Sequence, residues 1–160
     1  MRAGEKPSMR DLAFLYSILC LQFGEKCGKL LLDKSSEITV KRSKTGRLRC
    51  ILLGSKPILY VNPSLGKVTL SEEGAKLLFP LVDKSRCRIF VRKELFVKHI
   101  TKSVLAPAVV KATDDVRAGD EVFIVSEDDE LLAIGKALLS ALEISNIRRG
   151  EVARVRRRIK

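Results

Sequence analysis

A chain of 160 residues has room for one domain or two small ones, and its 46% apolar content excludes wholesale disorder. Its 31 Lys and Arg residues against 19 Asp and Glu give a formal net charge of +12. This imbalance favours a polyanionic partner, nucleic acid first, over a merely solvated basic surface or a membrane-binding surface.

The first helix is predicted to begin after Ser8, which is a good N-cap residue. Apolar side chains then recur at helical spacing until Gly24, where we expect the helix to end. The longest apolar stretch, residues 12–23, lies within this helix. It contains polar residues and is too short to span a bilayer. No signal-peptide cleavage site follows the start of the chain, so we expect a cytoplasmic protein without a membrane partner.

Four strands and a second helix are predicted next. Residues 37–54 alternate around the turn sequence SKTG and predict a hairpin, and residues 57–61 and 67–70 predict two more strands. Ser71 then opens a helix with two glutamates in its first turn, and Pro80 limits its length. We therefore expect a small α+β domain over residues 8–83.

The second half begins with a predicted strand at residues 86–91 and a short helical segment at residues 92–103. In that segment we expect Leu95, Phe96 and His99 to face the core. The apolar stretch that follows contains Pro107, which confines it to a sheet edge or a bulge.

Residues 121–125 predict a strand buried on both faces, residues 143–146 a helical turn, and the basic C-terminal stretch a last strand. Short strands with tight turns over residues 86–160 predict a small β pseudo-barrel. The fold class is therefore α+β, with two domains.

Two turn-forming clusters, residues 117–120 and 127–130, contain or adjoin most of the acidic residues around the central strand of this second half and flank that strand. Asp and Gly favour tight turns, so we interpret both clusters as structural turns that face away from bound RNA. The second cluster lacks the spacing of an EF-hand calcium loop.

The sequence contains no recognisable active site. Its four cysteines form no C-x-x-C pair, and its single histidine, His99, is twelve residues beyond the nearest cysteine. This pattern argues against a zinc site and against nucleophilic catalysis. The sequence contains neither the P-loop pattern GxxxxGK followed by Ser or Thr nor the dinucleotide-binding pattern GxGxxG. We expect no metal, no cofactor and no enzymatic activity.

The chain resembles a known RNA-binding module, the PUA domain of pseudouridine synthases and archaeosine transglycosylases. The resemblance rests on VLAPAVVKATDDVRAGDEVFIVSEDDELLAIGKALLS and RRGEVARVR and on the order of elements over residues 86–160. The stretches LQFGEKCGKLLL, RSKTGRLR and VTLSEEGAKLL are similar to the small α+β domain that precedes the PUA domain in archaeosine tRNA-guanine transglycosylase. Nearly the whole chain is thus similar to the C-terminal region of that archaeal enzyme.

The sequence departs from the family at several points. The transglycosylase barrel, with its aspartates and zinc-binding cysteines, has no counterpart here. PUA domains commonly have glycines where this chain has Ser103 and Ala108, and the archaeal enzyme typically has an aromatic residue where Leu105 stands.

Candidate RNA contacts come from both arguments. In PUA domains RNA lies across the helix, the following loop and the last strand, which here correspond to Lys98, Lys102, Ser103, Val104, Leu105, Ala106, Arg154 and Arg156. Clustered charge adds Arg92, Lys93, Arg148 and Arg149. The remaining cations of the C-terminal stretch are Arg157, Arg158 and Lys160. They are equally consistent with a solvated tail and with part of the RNA surface.

The resemblance implies a stand-alone tRNA-binding subunit that holds tRNA at its acceptor stem. A catalytic transglycosylase partner would then exchange a guanine in the D-loop. Two alternatives remain: a ribosome-assembly or translation factor that binds rRNA, and a subunit of another RNA-modifying enzyme. With few aromatic residues (5%), we expect recognition of duplex shape and phosphate rather than of single-stranded sequence.

Overall fold

A computed structural model describes residues 4–99 and 102–160. The chain forms two units, Met1–Val82 and Asp83–Lys160, each with its own sheet and helices. Residues 100 and 101, which belong to the helical segment predicted at 92–103, lie outside the described residues.

The first unit begins with helix α1 (Met9–Phe23), and the predicted N-cap is confirmed. The Ser8 hydroxyl accepts from the backbone N–H of Asp11, and the Asp11 carboxylate accepts from the N–H of Ser8, which completes a capping box. Gly24 ends the helix with a φ of 107°, a conformation that favours glycine. Helix α2 (Glu25–Asp33) follows directly.

An antiparallel meander makes up the sheet of this unit, in the order β1-β2-β3-β4. Its strands are β1 (Ile38–Arg42), β2 (Leu48–Leu53), β3 (Lys56–Asn62) and β4 (Lys67–Leu70). Helix α3 (Glu72–Leu78) packs against the sheet, with Ser71 as its N-cap. The predicted limit at Pro80 is confirmed, because this residue lies in the 3-10 turn that follows α3.

The second unit contains a six-stranded sheet in the order β6-β10-β9-β8-β5-β7. Only the β5–β8 pair is parallel. Its strands are β5 (Arg88–Val91), β6 (Ser103–Leu105), β7 (Val109–Ala112), β8 (Glu121–Val125), β9 (Leu131–Ala137) and β10 (Glu151–Arg158). Its helices are α4 (Lys93–His99) and α5 (Ala141–Asn146).

Pro107 explains how this sheet curls. It lies in a 3-10 turn, Ala106–Ala108, that separates β6 from β7. These two strands are neighbours in the chain but occupy opposite ends of the sheet order, so the sheet must curve round to bring its ends together. The predicted edge position of the Pro107 segment and the predicted pseudo-barrel are both confirmed.

The core of the second unit is formed by apolar side chains from most of its strands and from both helices. All five residues of β8 are buried, as predicted. Phe96 is buried and Leu95 is half-buried, but His99 is exposed, so the prediction that His99 faces the core is wrong. Seven residues of helix bury only a narrow stripe, and His99 lies outside it.

No helix within residues 4–99 and 102–160 combines the length and the apolar character needed to cross a membrane.

Candidate nucleic-acid interface

The acidic turn between β8 and β9 lies against the start of helix α4. The Glu130 carboxylate accepts from the Lys93 ammonium at 2.6 Å, and the Glu127 carboxylate accepts from the Lys93 backbone N–H at 3.2 Å. Backbone N–H groups of Glu127 itself and of Lys93 hold the pKa of Glu127 below its usual value. The acidic turn is thus paired with Lys93, one of the predicted RNA contacts, and its orientation away from bound RNA stays a prediction.

Asp129 gives the acidic turn its structural role. Its carboxylate accepts at 2.7 Å from the Arg88 guanidinium, whose side chain is only 2% exposed. Arg88 also donates to the backbone carbonyls of Asp83 and Arg86. Because a buried guanidinium needs a counter-charge, this acidic residue stabilises the second unit.

Strands β6 and β10 bring the predicted loop and the last strand together. Ser103 is the register partner of Arg154, and the Lys102 carbonyl accepts from the Val155 N–H at 2.8 Å. The Ser103 hydroxyl donates to the Glu151 carboxylate at 2.7 Å. Lys102 and Arg154 are both exposed, and Lys102, opposite Val155, is one residue out of register with Arg154.

The apolar part of the predicted loop is less available to RNA. Val104 is fully buried in the core, so its predicted RNA contact cannot involve the side chain, because strand alternation turns it inward between Ser103 and Leu105. Ala106 is half-buried and packs against the same core. Leu105 is 46% exposed and remains accessible.

Lys136 extends the cationic surface and was missed in the sequence. It is exposed on β9 and is the register partner of Arg154 on one side and of Glu121 on the other. Directly paired residues of antiparallel strands point to the same face, so Lys136 and Arg154 lie side by side. The signal in the sequence was the single lysine within the apolar run of β9.

Arg156 lies at a β-bulge, where the β9–β10 register shifts between Val155 and Arg157. Its guanidinium forms an ion pair with the nearly buried carboxylate of Glu121. Since Glu121 shares its face with Lys136, the two predicted arginines Arg154 and Arg156 do lie on one face. We call Lys136, Arg154 and Arg156 the basic strand face; of the three, Arg156 has its charge neutralised by Glu121.

Gly135 allows β9 and β10 to approach closely beside this bulge. A methyl group placed on Gly135 would lie 2.2 Å from the carbonyl oxygen of Arg154. Only a residue without a side chain fits there, so the position of Arg154 depends on this glycine.

The C-terminal arginines divide into two kinds. The Arg158 guanidinium donates to the Phe96 carbonyl at 3.2 Å and stacks over the Phe96 ring, 4.9 Å from its centroid. Arg158 is therefore attached to helix α4 rather than part of a frayed tail. Arg157 is exposed, as are Arg148 and Arg149 in the turn before β10 and Arg92 and Lys98 around α4.

The described residues contain no cluster of three or more His, Cys, Asp or Glu side chains that could hold a metal ion. Burial, with the Asp115 carboxylate as a second cause, raises the pKa of the Cys87 thiol to about 12. Such a thiol stays protonated near neutral pH and is a poor nucleophile. His99, the single histidine, is exposed.

Comparisons with known proteins identify both halves of the chain. Residues 87–159 match the PUA domain, and residues 14–84 match the patch-forming domain C2 of tRNA-guanine transglycosylase. The tRNA-guanine(15) transglycosylase of Pyrococcus furiosus is 40% identical over 157 residues, which are 96% of this chain and 26% of that enzyme. Its counterpart from Methanobrevibacter smithii is 38% identical over 151 residues, 94% of this chain and 23% of the enzyme.

Two solved archaeal structures have a fold similar to that of this chain. A hypothetical protein from Pyrococcus horikoshii OT3 superposes with a TM-score of 0.73 at 23% identity, over 98% of this chain and 94% of that one. A PUA domain protein from Aeropyrum pernix K1 gives a TM-score of 0.66 at 16% identity, over 98% and 86% of the two chains. The chain spans about a quarter of the length of the transglycosylases that it matches. Its first half thus matches a transglycosylase-type C2 domain and its second half a PUA domain, and the chain resembles the C-terminal region of the archaeal tRNA-guanine(15) transglycosylases.

Proposed function

We propose that this protein binds tRNA for archaeosine-type tRNA-guanine transglycosylation and performs no base exchange by itself. The observation that carries the proposal is the pairing of a C2 domain with a PUA domain, in the order found in relatives named as tRNA-guanine(15) transglycosylases. The domain limits we propose are residues 8–83 and 86–160.

The RNA surface that we propose is on the PUA domain. Lys136 and Arg154 have no carboxylate within salt-bridge distance in the described part of the chain, and both are exposed. Cations of this kind neutralise phosphates and release counterions. Further contacts are proposed for the exposed cations Arg92, Lys98, Lys102, Arg148 and Arg149, for the accessible residues Ser103 and Leu105, and for Arg156, which stays exposed although it is paired with Glu121.

The proposed division of labour needs a catalytic partner. Base exchange requires a nucleophile and acid–base groups in a shaped site, and the chain matches only 23–26% of the length of the transglycosylases. A transglycosylase barrel that lacks its own C2 and PUA domains would supply the chemistry, while this protein would hold the acceptor stem.

Incorporation of labelled guanine into a tRNA transcript tests this proposal. The protein alone should give no incorporation, and a barrel fragment of an archaeal transglycosylase should gain activity when the protein is added. Incorporation by the protein alone would contradict the proposal. So would co-purification of rRNA instead of tRNA, which would favour a ribosome-assembly or translation factor.

A further inference from the structure

One row of side chains across the sheet of the first unit carries polar groups and an exposed aromatic ring. The strand register aligns Lys41 with Cys50, Cys50 with Tyr60, and Tyr60 with Thr69. Because paired residues of antiparallel strands share a face, these four side chains form one row across the sheet. The opposite face holds the buried apolar residues Val40, Ile51, Leu59, Val61, Val68 and Leu70.

The next position along β3 extends this row. Asn62 lies two residues after Tyr60, so it points to the same side, and it pairs with Lys67 on β4. We call Lys41, Tyr60, Asn62, Lys67 and Thr69 the outer sheet face. It presents two ammonium groups, an amide, a hydroxyl and an aromatic ring, and none of its five members is acidic. Tyr60 is 42% exposed, whereas Cys50 beside it in the row is 3% exposed, so the tyrosine is an accessible aromatic side chain next to a buried one.

The neighbouring β1–β2 hairpin adds positive charge. Residues 41–49 contain five Lys and Arg residues and no Asp or Glu. Arg42 is paired with Glu5 and Asp11. Arg47 and Arg49 are exposed, and no carboxylate of the described residues lies within salt-bridge distance of either. Arg49 directly precedes Cys50 and so lies on the other face of the sheet, but the hairpin as a whole gives this edge of the sheet a positive charge that attracts a polyanion.

We propose that the outer sheet face is a second RNA contact, where Tyr60 stacks on an unpaired base and the flanking cations hold phosphates. Exposed aromatic rings on sheets, surrounded by Lys and Arg, bind unpaired bases by stacking, and the amide of Asn62 can bond a base edge. A protein partner is less suited to a face with this charge. The inference rests on the proposed function, RNA binding, and adds single-stranded RNA to the duplex-type recognition expected from the sequence.

Tyrosine fluorescence tests the stacking directly, because the chain has two tyrosines and no tryptophan. In the full-length Tyr16→Phe variant, Tyr60 is the only tyrosine. Titration with octauridylate should quench its emission to a plateau. In the matched Tyr60→Phe variant, only Tyr16 on α1 emits, and its signal should stay constant while affinity stays within about twofold, because Phe also stacks.

Tyr60→Thr removes the ring but keeps a good strand residue. It should weaken octauridylate binding about fivefold or more, since base stacking on an aromatic side chain is worth at least that factor. An unchanged thermal unfolding midpoint would show that the variant is folded. The absence of quenching in Tyr16→Phe, or wild-type affinity in folded Tyr60→Thr, would overturn the inference.

Titrations of Arg154→Ala and Tyr60→Thr with tRNA separate this inference from the proposed function. Weaker tRNA binding by Arg154→Ala together with an unaffected Tyr60→Thr would refute the outer sheet face alone. The reverse result would refute the PUA surface and support the outer sheet face. Failure of the wild-type protein to bind either RNA would refute both.

Discussion

Asp129 lies in a turn that the sequence alone suggests is a solvent-exposed loop. Its carboxylate accepts a hydrogen bond from the buried guanidinium of Arg88, 41 residues away in the chain. The φ of Asp129, 61°, lies in the left-handed region, which Asp and Asn tolerate better than most residues. The acidic turn is therefore specified by two requirements, a turn conformation and a counter-charge for Arg88. Neighbouring Asp128 is exposed, and its backbone N–H donates to the Ser126 hydroxyl.

Replacing Asp129 with Asn should lower the free energy of unfolding by about 3 kcal/mol, because the Arg88 charge loses its partner in a buried site. Asn keeps the left-handed backbone, so the change isolates the charge. Asp128→Asn is the matched control and should stay within about 0.5 kcal/mol of the wild-type protein. Equal stabilities of the two variants in urea unfolding would show that the Asp129–Arg88 pair does not hold the turn.

Burial of Cys87 should make its thiol unreactive in the native protein. With a pKa of about 12, it has about one part in ten thousand of thiolate at pH 8. The native protein treated with iodoacetamide at pH 8 should therefore keep Cys87 unmodified, whereas the urea-unfolded chain should be alkylated at all four cysteines. Mass spectrometry of tryptic peptides reports each site, and rapid native alkylation of Cys87 would disprove its burial.

At the scale of elements, close contact between β9 and β10 fixes the basic strand face. Gly135→Ala should destabilise the protein by about 1–3 kcal/mol, because the new methyl group would collide with the Arg154 carbonyl rather than with a movable side chain. Lys136→Ala, one residue further along β9, should leave stability nearly unchanged because Lys136 is exposed. Urea unfolding of both variants makes the comparison, and a fully stable Gly135→Ala would mean that the strands are not held this closely.

Local patterns predicted most of the elements. Ser8, Gly24, Ser71 and Pro80 marked helix limits correctly, since capping and proline effects act within a few residues. Alternation also identified the buried strand β8.

Contacts across strands were not predictable in the same way. The pairing of Lys136 with Arg154, and that of Arg156 with Glu121, depends on the register and on a bulge, which a single sequence does not reveal. Val104 was assigned to the RNA surface from the family resemblance, and its burial follows from its place between Ser103 and Leu105 on β6. The contact of Arg158 with Phe96 bridges 62 residues and was equally invisible.

For the whole molecule, ion pairs decide which of the cations behind the net charge of +12 are available to RNA. Several cations form ion pairs within the protein: Arg42 with Glu5 and Asp11, Arg88 with Asp129, Lys93 with Glu130 and Arg156 with Glu121. Lys136 and Arg154 have no such partner among the described residues, and they adjoin one another on the PUA domain. We propose that this pair contacts RNA phosphates.

The salt dependence of tRNA binding tests this claim most directly. The experiment measures the dissociation constant of one tRNA transcript at several salt concentrations between about 50 and 200 mM, a range over which phosphate contacts change affinity strongly. It compares the wild-type protein with the double variant Lys136→Ala/Arg154→Ala and with Lys93→Ala. The double variant should bind more weakly, and its slope of log K against log salt should flatten by about 1.8, or about 0.9 per lost contact. Lys93→Ala should keep the wild-type slope, because Glu130 already neutralises Lys93. A wild-type slope and affinity in the folded double variant would contradict the assignment of the RNA surface to this part of the PUA domain.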